Sequence, residues 1–538
     1  MPGLKESKIT NLPFPELKSV KELEKLAEHP FDLAKSGQLT QERIQKYKAK
    51  GPYFTLLYGT ERVTDDVMSA LASLAIERNV VETMQRMQGG AILNKIEGYP
   101  SENRAALHTA TRDFFDQLQQ SPEAKKAAAQ AKEEVDRLKN WISKIDQEGR
   151  FTDLLVIGIG GSELGPKAHY LALQHLLKPG RQVRFVGNMD PDDLAQQLVG
   201  LDLSRTLVLV LSKSGTTLET MTNEALLRNI YQKKGIDGNN HFIAITGQGS
   251  PMDDPKRYSQ IFYLWNWVGG RFSVTSMIGG VMMAFAFGFD VFWNFLKGAN
   301  AMDKVALKQD PFENLPLLTA LIGIWNRNFL QYQTLAIIPY SQALSRFSAY
   351  LQQVDMESNG KRIDKEARPV DFHTGPIIWG EPGTSAQHSF YQLMHQGTDV
   401  IPVEFIGFKE SQFGKDDVVK GTNSQEKLLA NLIAQTIALA QGQQNVNPNK
   451  VFPGNRPSHI LFAKQLTPET MGALLALYEH RIVFQGFLWG INSFDQEGVQ
   501  LGKMLGNRIM DLYANKRSKS TSEPYVLGET FLNLFNES

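Results

Sequence analysis

Leu211-Ser212-Lys213-Ser214-Gly215-Thr216-Thr217 is the stretch on which the reading of this chain turns. It follows a continuous apolar run, Thr206-Leu207-Val208-Leu209-Val210-Leu211, of the kind that suits a strand buried on both faces. After it, Leu218, Met221, Ala225, Ile230 and Tyr231 recur at roughly helical spacing, and Lys233-Lys234-Gly235 supplies a basic last turn and a stop. Between strand and helix lie four hydroxyls and one glycine. A helix start offers unpaired backbone N–H groups and the positive end of a dipole, and hydroxyls add donors. The combination suits a phosphate monoester. The plain alternative is an N-cap turn with spare hydroxyls.

A second stretch of the same kind lies upstream. Leu154-Leu155-Val156-Ile157 reads as a strand and leads into Gly158-Ile159-Gly160-Gly161-Ser162-Glu163-Leu164-Gly165-Pro166. A dinucleotide fingerprint would need glycine at 163, where Glu163 stands, and a phosphate-loop motif fails because Pro166 follows Gly165. What remains is a strand, a glycine turn, Ser162 and a helix start: a second anion cradle. On neighbouring strands of one parallel sheet, two such loops would face one crevice beyond the strand ends.

Strands are also expected at 183–186, 242–245, 334–338, 403–406 and 458–462, with helices between. The fold class is therefore α/β, with two doubly wound parallel-sheet domains. The expected boundaries are a helical N-terminal region over 1–125, a first α/β domain over 126–300, a second over 301–505 and a C-terminal extension over 506–538. A helical crossover near 285–315 separates the sheets. Helices are expected over Asp65 to Met87 and Pro122 to Ile145, and Thr467-Pro468-Glu469 opens another with a cap and a first-turn proline. The helix-or-loop character of the extension is left open by the sequence.

At 538 residues the chain exceeds one ordinary core. Lys+Arg 57 against Asp+Glu 57 leaves no net charge to draw nucleic acid or an anionic membrane. Cysteine is absent, which excludes disulfides and thiolate chemistry and fits a reducing compartment. No apolar run reaches the roughly 20 residues of a membrane span, and Met1-Pro2-Gly3-Leu4-Lys5-Glu6 has no apolar signal core. A cytoplasmic protein is expected.

Five separated stretches, in order, carry a resemblance. Ser212 to Thr217 resembles the sugar isomerase domain family. Gly158 to Ser162 with Leu164-Gly165-Pro166 is similar more narrowly to the phosphoglucose isomerase family. So are Asn266-Trp267-Val268-Gly269-Gly270-Arg271-Phe272-Ser273, Gln353 to Lys361, Gly375 to Thr384 leading to Gln387-His388, and Gly486 through Phe494-Asp495-Gln496-Glu497-Gly498-Val499-Gln500 to Lys503. A weaker likeness covers Asn94 to Arg112. The two α/β domains would then be sugar isomerase domains. The resemblance implies reversible isomerisation of glucose 6-phosphate to fructose 6-phosphate, in glycolysis and gluconeogenesis, by ring opening and proton transfer through a cis-enediolate. It implies Glu357 as base, His388 and Lys503 in ring opening, and Arg271 beside the enediolate. Gly161, Ser162, Ser212, Lys213, Ser214 and Thr217 would hold the phosphate, with Lys213 contributing its backbone N–H or its ammonium. Gln353 and Gln496 would hold hydroxyls or phosphate, with Glu219 as a site neighbour. No cofactor and no metal is expected, and the protein would be a homodimer with the site near the interface. Some family members carry a bulkier Thr-Phe where this chain has Ser214-Gly215.

The chemistry has its own requirements. Moving a proton between adjacent sugar carbons needs a carboxylate over both, and a fixed positive charge such as Arg271 suits the enediolate. Each residue also has a plain reading: Glu357 or Lys503 as a solvated charge, His388 as structural, Arg271 in an ion pair with Glu219. His373 and His395 lack ligand spacing with His388 for a zinc site. An amidotransferase half would bring a nucleophilic cysteine, which is missing. A non-catalytic sugar-phosphate sensor would need the cradle but not Glu357, His388, Arg271 and Lys503 together.

Overall fold

A computed structural model of the chain describes residues 12–116, 118–518 and 524–537. They fall into two compact units, within Met1–Ser493 and Phe494–Ser538. Eleven strands lie among the described residues: β1 (Lys48–Lys50), β2 (Phe54–Leu57), β3 (Asp153–Ile157), β4 (Gln182–Val186), β5 (Thr206–Leu211), β6 (Phe242–Thr246), β7 (Gln260–Tyr263), β8 (Thr334–Pro339), β9 (Ile377–Trp379), β10 (Val403–Phe408) and β11 (Ser458–Ala463).

The first sheet has order β4-β3-β5-β6-β7 and is parallel throughout. All six residues of β5 are buried, as its unbroken apolar run requires. The chain leaves β3 for β4 on one side and returns to β5 on the other. The strand order therefore reverses between β3 and β5, the position where open α/β sheets bind ligands. The loops after these two strands are the glycine turn and the hydroxyl loop.

The second sheet has order β1-β2-β11-β10-β8-β9. Its β11, β10, β8 and β9 are parallel. The largely helical N-terminal region extends it with an antiparallel pair, β2 on β11 and β1 on β2. These strands are three and four residues long, and pairing with β11 holds them more than local pattern does. The stretch from Asp65 forms two helices, Asp65–Glu77 and Val80–Gln88, because Asn79 sits in the left-handed region at φ 50°.

Helices Phe289–Val305 and Leu315–Ile324 separate the sheets in sequence. Pro468–Trp489 begins as its sequence dictates: the Thr467 side chain accepts from Thr470 N–H and Pro468 occupies the first turn. It packs against Phe289–Val305 at backbone distance. A Cβ on Gly298 would lie 1.9 Å from the Glu469 carbonyl oxygen, and one on Gly472 1.9 Å from that of Phe295. The segment 270–287 is apolar enough to span a membrane by composition, but 94% of it is buried in the protein and belongs to its core.

In the C-terminal unit, Gln500–Ser518 and Val526–Glu537 are helices, with Leu512 and Leu532 buried and the Arg508 guanidinium 4.4 Å from the Tyr525 ring centroid.

Gly472→Ala forces the two core helices apart and is expected to destabilise the larger unit by about 1–3 kcal/mol or more. The check is the midpoint of thermal unfolding against the parent chain. An unchanged midpoint would contradict the backbone-distance packing.

Candidate active site

The glycine turn after β3 and the loop holding Arg271 meet backbone to backbone. A Cβ on Gly161 would lie 2.2 Å from the Gly270 carbonyl oxygen, so only glycine fits. Gly160 adopts φ 58°, which glycine permits without strain. The same Gly270 carbonyl accepts from Ser273 Oγ at 2.6 Å.

The hydroxyl loop after β5 is organised by Ser212. Its Oγ accepts from the N–H groups of Gly215 (3.1 Å) and Thr217 (3.4 Å) and lies 2.8 Å from Thr217 Oγ1. Ser214 Oγ accepts from Thr216 N–H and Oγ1–H at 3.2 and 2.9 Å, while the Ser214 side chain faces solvent. Gly215 is left-handed at φ 68°, and a Cβ there would press within 3.0 Å of Met252 N and Ser250 Oγ. At the start of the sixteen-residue helix Leu218–Lys233, this is a turn rich in donors at the positive end of a dipole. Glu219 is half-buried in the helix's first turn.

Lys213 ties this loop to the arginine turn. Its Nζ donates to the Val268 carbonyl at 3.0 Å, three residues before Arg271. Burial, with Arg104 adding repulsion, pushes its ammonium down to about 8.

Arg271 is 2% exposed and held on three sides. Its Nε donates to Ser358 Oγ and its Nη2 to the Ser493 carbonyl, both at 2.6 Å, while Nη1 lies 3.6 Å from Glu357 Oε2. The ion pair expected for this arginine is thus made with Glu357. Hydrogen bonds to a charged group contribute about 1.5–3 kcal/mol each, enough to fix a guanidinium in one orientation. Ser493 Oγ donates to Asn359 Oδ1 at 2.7 Å, and Asn359 Nδ2 to the Ile482 carbonyl at 3.0 Å, so the pocket wall is anchored on the core helix.

Glu357 ends a π-helical segment, Gln352–Glu357, that continues the helix Phe347–Leu351. π turns are wider than α turns and recur at functional sites. This one also carries Gln353. Its Nε2 lies 3.2 Å from where a Cβ on Gly160 would stand, and its Oε1 is buried without a protein partner. A buried amide oxygen left unpaired within the fold is suited to a ligand hydroxyl. Between them, Asp355 is fully buried. Desolvation raises its carboxyl to about 7 although Arg481 pulls the other way.

Gly161, Ser162, Ser212, Lys213, Arg271, Gln353 and Glu357 therefore line one region beyond β3 and β5. No hydrogen bond or ion pair among the described residues joins the His388 side chain to this cluster. His388 is exposed at the end of the short helix Gly383–Gln387, which packs on the Tyr340 ring. Gln496 and Lys503 belong to the C-terminal unit, Lys503 exposed on Gln500–Ser518. Ser358, Ser493 and Asn359, which hold Arg271, were not singled out from the sequence. Serine next to a carboxylate carries no local signal.

Phosphate-sized cradle, doubly wound sheets and a carboxylate–arginine pair together define the class of sugar-phosphate isomerases. The profile of one family, phosphoglucose isomerase, matches residues 57–526. The chain is 57% identical over 513 residues to a glucose-6-phosphate isomerase of Protochlamydia amoebophila, covering 95% of each chain. It is 53% identical over 518 residues to one of Chlamydia pneumoniae, covering 96% of this chain and 97% of that one. The crystal structure of a glucose-6-phosphate isomerase from Chlamydia trachomatis superposes with a TM-score of 0.94 at 51% identity, covering 98% of this chain and 99% of the other. The chain belongs to the phosphoglucose isomerase family.

The lowered Lys213 amine is open to measurement. Below about pH 8 it is an ammonium and unreactive; above it the neutral amine dominates. Competitive acylation of the unliganded protein, followed by mass spectrometry, is expected to give a midpoint near 8 for Lys213. A midpoint near the ordinary lysine value of about 10.4 would refute its burial.

Proposed function

We propose that this chain interconverts glucose 6-phosphate and fructose 6-phosphate, the reaction named for its relatives. The observation that carries the reading is the Glu357–Arg271 pair at 3.6 Å, set beside the glycine turn and joined through Lys213 and Val268 to the hydroxyl loop.

Phosphate is captured first, by the backbone donors and hydroxyls of Ser212, Ser214 and Thr217 with Gly161, Ser162 and Lys213. His388 and Lys503 open the ring, one giving and one taking a proton. Glu357 then removes the C2 proton of the open aldose to give a cis-enediolate. It returns that proton to C1 while the hydroxyl proton passes from O2 to O1, so the ketose forms with no net gain or loss of atoms. Arg271, already charged and immobile, stabilises the negative oxygens without reorganising. Gln353 and Gln496 hold hydroxyls, and Glu219 borders the site. Every step is a proton transfer, so the reading invokes no metal and no redox cofactor. The exposed position of His388 supports a homodimer in which this residue reaches the site of a second copy, across an isologous interface. We place the enzyme in the cytoplasm, in keeping with a chain free of cysteine.

Glu357→Gln keeps shape and removes the base. In a coupled assay starting from fructose 6-phosphate, kcat is expected to fall by about 10²–10⁴-fold, with binding of a five-carbon acid phosphate retained. Turnover near the parent rate would remove Glu357 as base. Binding without turnover in the parent chain would favour a sensor.

A further inference from the structure

Behind the second sheet lies a closed cavity of about 20 Å³, bordered by the π-helical segment Trp325–Phe329, the start of β8 and the core helix Pro468–Trp489. Four of its lining residues each contribute a buried polar atom with no partner in the protein: Asn326 Oδ1, Thr334 Oγ1, Arg481 Nε and Gln485 Oε1. Asn326, Arg481 and Gln485 are 6%, 2% and 1% exposed. Orphaned polar atoms in a protein interior cost about 1–3 kcal/mol each, so four around one void need a common explanation.

We propose that this cavity is a binding site for one structural water. The volume accommodates roughly one molecule. The donor inventory selects it: a water donates two hydrogen bonds and accepts two. Asn326 Oδ1 and Gln485 Oε1 can only accept, Arg481 Nε–H can only donate, and the Thr334 hydroxyl supplies the second donor. The Asn326 amide is oriented independently, since its Nδ2 donates to Glu61 Oε2 at 3.1 Å. A cation would sit against the Arg481 guanidinium. An anion would face two amide oxygens, with the Glu404 carboxylate already paired to Arg481. Neutral water satisfies all four groups. It ties β8, the Trp325–Phe329 turn and the core helix together at the residue, Arg481, whose charge also acts on Asp355 in the Glu357 segment.

The test is a crystal structure of the full chain grown with bromide in place of chloride. The expected result is a single peak within about 3 Å of all four atoms and free of bromide's anomalous signal. A bromide signal there, or an empty cavity with the Asn326 or Gln485 amide turned onto Arg481, would overturn the assignment. Thr334→Val keeps the volume and removes one donor. It is expected to lower Tm by about 1–2 °C, with Thr334→Ser restoring it. Both variants melting with the parent would also count against the site.

Discussion

The approach of Gly161 to Gly270 is the constraint on which the site depends. It brings the loop after β3 against the loop that carries Arg271, with no room for a single methyl group between them. The first sheet fixes where the glycine turn and the hydroxyl loop lie, because they follow adjacent parallel strands. Contact at Gly270 then fixes Arg271 relative to both. The arginine in turn touches Glu357, which the other half of the chain contributes. Phosphate grip and proton transfer are thereby spaced by backbone and not by flexible side chains, as efficient positioning requires.

Behind the reacting groups lie buried charges that are mutually satisfied. Glu404 accepts from Arg481, from Tyr478 and from His459 Nε2 at 2.8 Å, and His459 Nδ1 meets Glu61 Oε1 at 2.6 Å. Burial alone would drive the His459 imidazole down, but Glu404 and Glu61 hold it up at about 9. Arg112 plays a matching part: Nε and Nη2 grip Asp303 at 2.8 and 2.7 Å and Nη1 donates to Glu479 at 2.8 Å. Such paired networks stabilise little against an apolar core, yet losing one partner strands a buried charge. They fix the long core helix in register under the pocket wall.

Legibility followed physics. The strand Thr206–Leu211 was readable to the residue, since a buried parallel strand is written as an unbroken apolar run. β7 and β9 were missed: Gln260–Tyr263 and Ile377–Trp379 are short edge strands held by a single neighbour. The Thr467 cap was visible because its chemistry is local, and the C-terminal helices were not settled because their apolar pattern is mixed. The two loops were legible as anion cradles, from spacing and hydroxyl content. Glu357 was not, except through family resemblance. One carboxylate among 57 acidic residues has no signature until Arg271, 86 positions earlier in the chain, is folded against it. The serines that orient Arg271 and the π turn are equally products of tertiary packing.

That turn has a consequence for how this region can change over time. A π segment carries one more residue per turn than the helix it interrupts. Losing a residue between 352 and 357 would let the backbone relax to ordinary α geometry and swing whatever follows by about 100° about the axis. Glu357 would then be aimed elsewhere, with every strand and loop intact. Side chains in this stretch are free to drift so far as packing allows, while its length is locked.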